Sequence, residues 1–348
     1  MDIRANIMRE PTWNYLKLNS VELELEKTRK DSFNLDYEDI NSDDMRIAFS
    51  SKDYGVSKEV LEENSAYRNF NKFFELDGVT DSEIINLKLD NEHNSLVSKI
   101  DIHAKEGSSS SILINFTEDT DDKTYINSII RANVDENAYL KLVVIVNLKD
   151  KSKNIQSIAS IIGKNANLEL GFIELGAKKS IVNIKNFLDG ENAKLVQNGV
   201  YFKAEEEFLD ILAVNEHNGV KTDSLAMFNG ALKDKAVKNF RGIVDLKRGC
   251  KEADGKIGDY SMMLSNDVVN KSAPILLTEE KNVKGNHAAS IGRLNREMLF
   301  YIMSRGFDKK TAQSMMLEAS FTPTLDMVED SDLRLELKEK VSHMNERV

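Results

Sequence analysis

Five histidines, one cysteine and scattered carboxylates are the side chains through which this 348-residue chain could do chemistry. His287 is the best placed of them. It sits among Gly285, Asn286, Ala288, Ala289 and Ser290, small residues that leave an imidazole approachable, and helical periodicity begins soon after it. A neutral imidazole there could act as a ligand or satisfy a buried corner, and taken alone the residue identifies no function. His93 and His103 lie in strand-like sequence, His217 in the turn-like stretch Asn215 to Gly219, and His343 near the last residues. Each reads as a surface or hydrogen-bonded histidine rather than a ligand. Cys250, the only cysteine, reads as a small core residue.

Several routes are closed. No GxxxxGKS or GxxxxGKT loop cradles phosphates, so ATP hydrolysis by that route is excluded. The glycines from Gly249 to Gly258 lack the spacing and strand-to-helix setting of a dinucleotide site. No GxSxG elbow or HExxH helix occurs. With one cysteine the chain has no internal disulfide, no CxxC metal site and no four-thiolate cluster site of its own. A carbohydrate-cleaving site needs convergent carboxylates. Glu205, Glu206 and Glu207 are adjacent, so alternate ones point apart in a strand, and a solvated face is the better reading.

The elements that must position His287 are strands. Period-two alternation dominates residues 80–293: Ile100 and Ile102; Ile112, Ile114 and Phe116; then Leu140, Leu142, Val144, Val146 and Leu148. At Val143 and Ile145 the other parity also turns apolar, the pattern of a strand covered on both faces. The turns recur as Asn137-Ala138, Asn165-Ala166 and Asn192-Ala193, with asparagines 165 − 137 = 28 and 192 − 165 = 27 residues apart. Asparagine tolerates left-handed backbone and alanine lets the chain turn inward, so the spacing predicts a coiled β architecture built from a quasi-repeat.

After Leu294 the period becomes helical. Leu294, Met298, Tyr301 and Ile302 share a face and Gly306 is a stop. Asp308 caps a second helix with a stripe of Ala312, Met315, Met316 and Ala319, and Pro323 is placed beyond its end. A third helix from about Asp332 carries Leu333, Leu337, Val341 and Met344, with Arg347 outside the stripe. The first 79 residues are mixed: Trp13 is expected to pack under the body, and short helices are expected over Ser57 to Glu63 and Tyr67 to Phe74. The organisation read here is a mixed segment (1–79), a β core (80–293) and a helical domain (294–348).

Lys plus Arg number 47 against 58 Asp plus Glu, a net charge of −11 that opposes broad nucleic-acid binding. No signal-peptide layout and no apolar run of ~20 residues is present, so neither secretion nor a membrane span is expected, and the reducing cytoplasm is the expected compartment.

In order along the chain, Phe240-Arg241-Gly242, Pro274-Ile275-Leu276, His287-Ala288-Ala289-Ser290, Leu299-Phe300-Tyr301 and Ser304-Arg305-Gly306 resemble the landmarks of the SufB/SufD family of iron-sulfur cluster assembly proteins. Trp13-Asn14-Tyr15 resembles a segment of its SufD branch. Gly258, Asp259 and Tyr260 stand where the SufB branch carries a cysteine, and Ala288 stands for its glutamate; both point to the SufD branch. The chain departs from the family at Gly285, which replaces a common cysteine, and in having little of the family's helical region before Trp13.

The resemblance implies a mainly β chain, a right-handed parallel β-helix with a C-terminal helical domain. It implies a non-ATPase scaffold that pairs with a SufB-like subunit, or with a second copy of itself, and docks a SufC-like ABC ATPase. On that basis His287 is a candidate ligand for a transient iron-sulfur cluster shared with a partner chain, no cofactor being held stably by this chain alone. Met315, Met316, Phe321, Leu325 and Met327 are candidate docking residues for the ATPase. The alternative reading is a stand-alone β-helical binding or carbohydrate-active protein.

Overall fold

A computed structural model describes residues 2–9, 14–26, 33, 42–293 and 295–344. Trp13, Leu294 and Arg347 lie outside the described residues. From Phe70 to Arg293 the chain winds into a parallel β-helix. Odd and even strands segregate into two eight-stranded sheets, each strand hydrogen-bonded in register to the strand two further along the chain. The alternating residues meet inside: Leu140 lies over Leu168 and Leu195, and Val144 over Phe172, Gly199 and Phe228. Glycine at 199 makes room for a ring, since a Cβ there would stand 2.3 Å from Phe228.

The Asn-Ala corners form as the sequence implies. Asn137, Asn165 and Asn192 take left-handed φ of 59°, 53° and 58°, and Ala138, Ala166 and Ala193 beside them are buried. Their amides stack in a ladder, Asn165 Nδ2 donating to Asn137 Oδ1 (3.2 Å) and Asn192 Nδ2 to Asn165 Oδ1 (3.0 Å). Lys221 and Glu252 continue the same backbone at φ 57° and 62° without the amide. The corner also needs a residue with no side chain, because a Cβ on Gly190 would lie 2.1 Å from the Lys164 nitrogen. The Glu205 stretch is a turn rather than a strand. Glu205 is left-handed (φ 51°), and Glu207 is buried and accepts the Ala204 N–H at 2.9 Å.

Both outer faces of the β-helix are covered. On one lie an antiparallel hairpin (Asp2–Ala5 with Val21–Glu24) and helices α1 (Asp43–Ala48) and α2 (Lys58–Tyr67). They bury Ile3, Leu23, Val56 and Val60 against Val97, Tyr125, Ile155 and Ile181, and Met45 and Phe49 against Ile161 and Phe187. The expected helix over Tyr67 to Phe74 is a strand, Phe70–Leu76, which puts Phe70, Phe74 and Leu76 into the interior and opens the first turn of the β-helix. Ser57 caps α2 as a helix start should, accepting the Val60 N–H.

On the other face lie two of the three tail helices: α3 (Arg296–Ser304), α4 (Lys309–Leu325) and α5 (Ser331–Met344). Leu317, Phe321 and Leu325 of α4 and Leu337, Val341 and Met344 of α5 pack on Val143, Ile145, Ile173, Val200 and Phe202. That contact is why Val143 and Ile145 are apolar. The expected stripe on α4 holds only in part: Ala312 is buried, but Met315 and Ala319 are exposed, and the bulkier Leu317, Phe321 and Leu325 take the rest of the buried face. Pro323 lies inside α4 rather than beyond it. Its ring forfeits one backbone bond in the last turn, where Thr322 Oγ1 donates to the Glu318 carbonyl at 2.7 Å and Asp326 N to the Thr322 carbonyl at 2.8 Å.

Gly190→Ala is expected to destabilise the β-helix by about 2–4 kcal/mol, because the new methyl meets backbone that cannot move without disturbing the strand below. Urea denaturation of the variant should show a lower midpoint with an unchanged slope.

Candidate functional site

The β-helix ends on two strands, Val269–Thr278 and Lys284–Arg293, each the edge of its sheet. Nothing among the described residues pairs with their free sides. Register fixes what faces inward. His287 lies over Ile257, Ser272 over Phe240 and Leu276 over Val244, and all three partners belong to the interior core. His287 therefore points along the bore of the β-helix, yet is exposed, since no further turn covers it.

Below it the interior turns polar. Lys238, over which Asn270 lies, is fully buried and forms an ion pair with Asp259. Lys238 Nζ also donates to Ser261 Oγ at 3.2 Å, and the Tyr201 hydroxyl donates to Asp259 Oδ1 at 2.7 Å and meets Ser261 Oγ at 2.6 Å. Burial holds the Lys238 ammonium below its ordinary pKa, with Asp259 opposing the shift; burial and the Asp259 charge together raise the Tyr201 phenol well above its own. One turn nearer the mouth, the Asn270 amide and Ser272 hydroxyl have buried polar atoms with no hydrogen-bond partner among the described residues. Such groups cost free energy unless something completes them.

The other histidines are held within the chain. His103 pairs with Asp135 at 2.8 Å, His93 with Asp90 at 3.1 Å, and buried His217 bonds Thr222 Oγ1 (2.8 Å) and Ser224 Oγ (2.7 Å). His343 is exposed on α5. Cys250 is buried in the interior core at a corner, and burial with the nearby Glu280 charge pushes its thiol up to about 11, so it is not a ready thiolate. Among the described residues no set of three or more His, Cys, Asp or Glu side chains converges to hold a metal.

The five tail candidates divide. Phe321, Leu325 and Met327 are buried against the β-helix, Met316 is half-buried, and Met315 is exposed. The apolar surface that the sequence reading missed is α3, which has no buried residue. Phe300 is 74% exposed, and Met298, Tyr301, Met303 and the following Phe307 are exposed as well. Six consecutive apolar residues, Met298 to Met303, are the signal, because such a run puts apolar groups all around a helix.

The buried arginine of Phe240-Arg241-Gly242 joins distant parts of the chain. Arg241 pairs with Asp210 and donates from Nη1 to the Leu18 carbonyl (3.0 Å), while Asn6 Nδ2 donates to Asp210 Oδ1 (2.8 Å) and to the Val182 carbonyl (3.0 Å). This network seats the N-terminal hairpin on the β-helix.

Residues 87–320 match the family model described as SUF system FeS cluster assembly, SufBD core domain. The chain is 22% identical over 236 residues to iron-sulfur cluster assembly protein SufD of Escherichia coli (strain K12), covering 68% of this chain and 56% of that protein. It is 32% identical over 109 residues to SufD of Bacillus subtilis (strain 168), covering 31% of this chain and 25% of that one. With an iron-sulfur cluster assembly SufBD family protein of Staphylococcus saprophyticus it shares 26% identity over 227 residues, 64% of this chain and 48% of that protein. The chain thus spans about half the length, or less, of these curated relatives.

His217 supplies a pH test of the folded state. Burial depresses its pKa from 6.5 to about 4. A depressed value means that its contribution is intact above pH 6.5 and is lost as pH falls toward 4, by up to about 3 kcal/mol. Urea midpoints across that window should fall more steeply for the parent protein than for His217→Gln, and parallel slopes would contradict the assignment.

Proposed function

The chain belongs to the SufBD family of iron-sulfur cluster assembly proteins, most like SufD, and from that premise we propose that it is a non-ATPase scaffold subunit of a SufBCD-type complex. It pairs with a SufB-like chain through the open end of its β-helix and docks a SufC-like ABC ATPase on its helical tail. The observation that carries this reading is the uncovered last turn. Edge strands present unpaired N–H and C=O groups in a ready template for another strand. Around them His287, Asn270 and Ser272 face a mouth, with no partner among the described residues for the Asn270 and Ser272 groups.

A second β-helix stacked on this end would pair both edges and enclose the imidazole. His287 could then supply one ligand to a nascent cluster, the cargo of the assembly, with the remaining ligands coming from the partner. Where no SufB-like chain is present, the same edges favour a second copy of this one. For the ATPase, the apolar surface of Met298, Phe300, Tyr301, Met303 and Phe307 with Met315 fits a moving partner, because methionine repacks at low cost. No helix among the described residues is long and apolar enough to cross a membrane. The cytoplasm suits the thiolate chemistry that such assembly requires.

Val269 and Ile291 are exposed apolar residues on the two terminal strands. The double variant Val269→Asp/Ile291→Asp should retain its thermal midpoint and weaken co-purification with a co-expressed SufB-like chain about tenfold or more; undiminished pairing would refute the edge interface. With the complex intact, His287→Ala should lower the yield of reconstituted cluster several-fold, measured by visible absorbance, and an unchanged yield would remove the imidazole from the cluster site.

A further inference from the structure

Between the last turn of the β-helix and the tail lies a cleft of about 270 Å³ lined by Met263, Leu264, Ser265, Asn266, Arg293, Arg296, Leu299, Lys309 and Gln313. Three of these side chains are cationic and none is a carboxylate. In a chain of net charge −11 such a concentration of one sign runs against the surrounding field. The cations arrive from three elements. Arg293 ends the last strand, Arg296 opens α3 and Lys309 opens α4. Their convergence is therefore a product of the tertiary fold.

The cleft is also shaped for an anion. Arg293 Nη2 donates to Asn266 Oδ1 at 2.7 Å, which turns that guanidinium toward the loop and fixes it with a neutral partner, leaving its charge uncompensated. The Asn266 amide, the Ser265 hydroxyl and the Gln313 amide are uncharged polar groups in the same lining. Lys309 and Gln313 belong to the first turns of α4. Asp267, Glu297 and Asp308 each adjoin a lining residue in sequence and lie outside the lining, and Asp308 is held as the helix cap, accepting the Thr311 N–H at 2.8 Å.

We propose that this cleft binds the phosphoryl group of a small phosphorylated molecule. Two guanidinium forks match tetrahedral oxyanion geometry, an ammonium adds a compact charge, and the uncharged donors complete the remaining oxygens. The volume accommodates one or two phosphoryl groups, and Met263, Leu264 and Leu299 offer an apolar wall to whatever the phosphate carries. The site lies apart from the scaffold reading and does not rest on it. It joins the strand that carries His287 to the helix that carries Phe300, so an occupant would bridge the β-helix and the tail.

Isothermal titration of the full chain at low salt with inorganic phosphate, pyrophosphate and ADP tests the assignment. Saturable binding of at least one of these, one per chain, is expected, with affinity about tenfold or more lower in Arg296→Gln/Lys309→Gln. ADP binding tighter than pyrophosphate would identify a nucleotide as the source, and equal binding an inorganic anion. Absence of saturable heat with all three probes, or equal affinity in parent and double variant, would overturn the proposal. Circular dichroism and thermal melting confirm that the double variant is folded. Should it fail to fold, the single variant Arg296→Lys, which keeps the charge and loses the fork, must weaken phosphate measurably for the proposal to stand.

Discussion

Strands stacked in parallel about 4.8 Å apart leave a corner no depth in which to turn except the thickness of one chain. Every turn of the β-helix must therefore reverse within the space its neighbours allow, and at most of its corners a left-handed residue makes that reversal. Asn137, Asn165 and Asn192 adopt it cheaply and bond one another through their amides. Lys221 and Glu252 adopt it at some cost, on the order of 1 kcal/mol each. Register then follows, since equal corners keep Leu140, Leu168 and Leu195 over one another. Interior packing and the placement of His287 both inherit this repeat.

A coil of this kind has two ends, and the chain treats them differently. At the first, Phe33 sets its ring edgewise against Phe70 and His93, at centroid separations of 6.4 and 6.0 Å. At the last, both edge strands are free and the interior grades from apolar to polar beneath the mouth. Lys238 and Asp259 form an ion pair there, at full burial, where apolar residues of similar size would serve stability as well. The retained cost gives the open end a polar floor, in keeping with an end that receives another molecule.

Much of this was legible in the residues. Asn-Ala spacing, period-two alternation and the double apolar parity at Val143 and Ile145 pointed to corners, strands and a covered outer face. Misreadings arose where two periods coincide. Phe70 and Phe74 are spaced for a helix as well as for a strand, and the interior decided between them. On α4 two apolar stripes compete, and Leu317, Phe321 and Leu325 prevail, with Ala312, because they bury more surface than Ala319 with Met315 and Met316 would. That choice takes Phe321 and Leu325 out of reach of a partner and leaves the apolar girth of α3 in the open. The converging cations of the cleft could not be read as a group, because Lys309 joins Arg293 and Arg296 only once α4 has folded back.

The seat of the N-terminal hairpin has a consequence in time. Asn6 and its acceptor Asp210 are 204 residues apart, and Leu18 waits for Arg241 across 223. At a synthesis rate of about 5–20 residues per second, the first of these partners leaves the ribosome roughly 10–40 s after Asn6. Turns of the β-helix can meanwhile close one upon the next, since each needs only its neighbours. The hairpin, though made long before Asp210 and Arg241, is thus seated only after them. Helix α2 needs no such wait, since Glu63 bonds Tyr125 and Asn64 bonds Ser98 and Asn127 as soon as those strands form, so the late-seated cover is the hairpin with Ile3 and Leu23 alone.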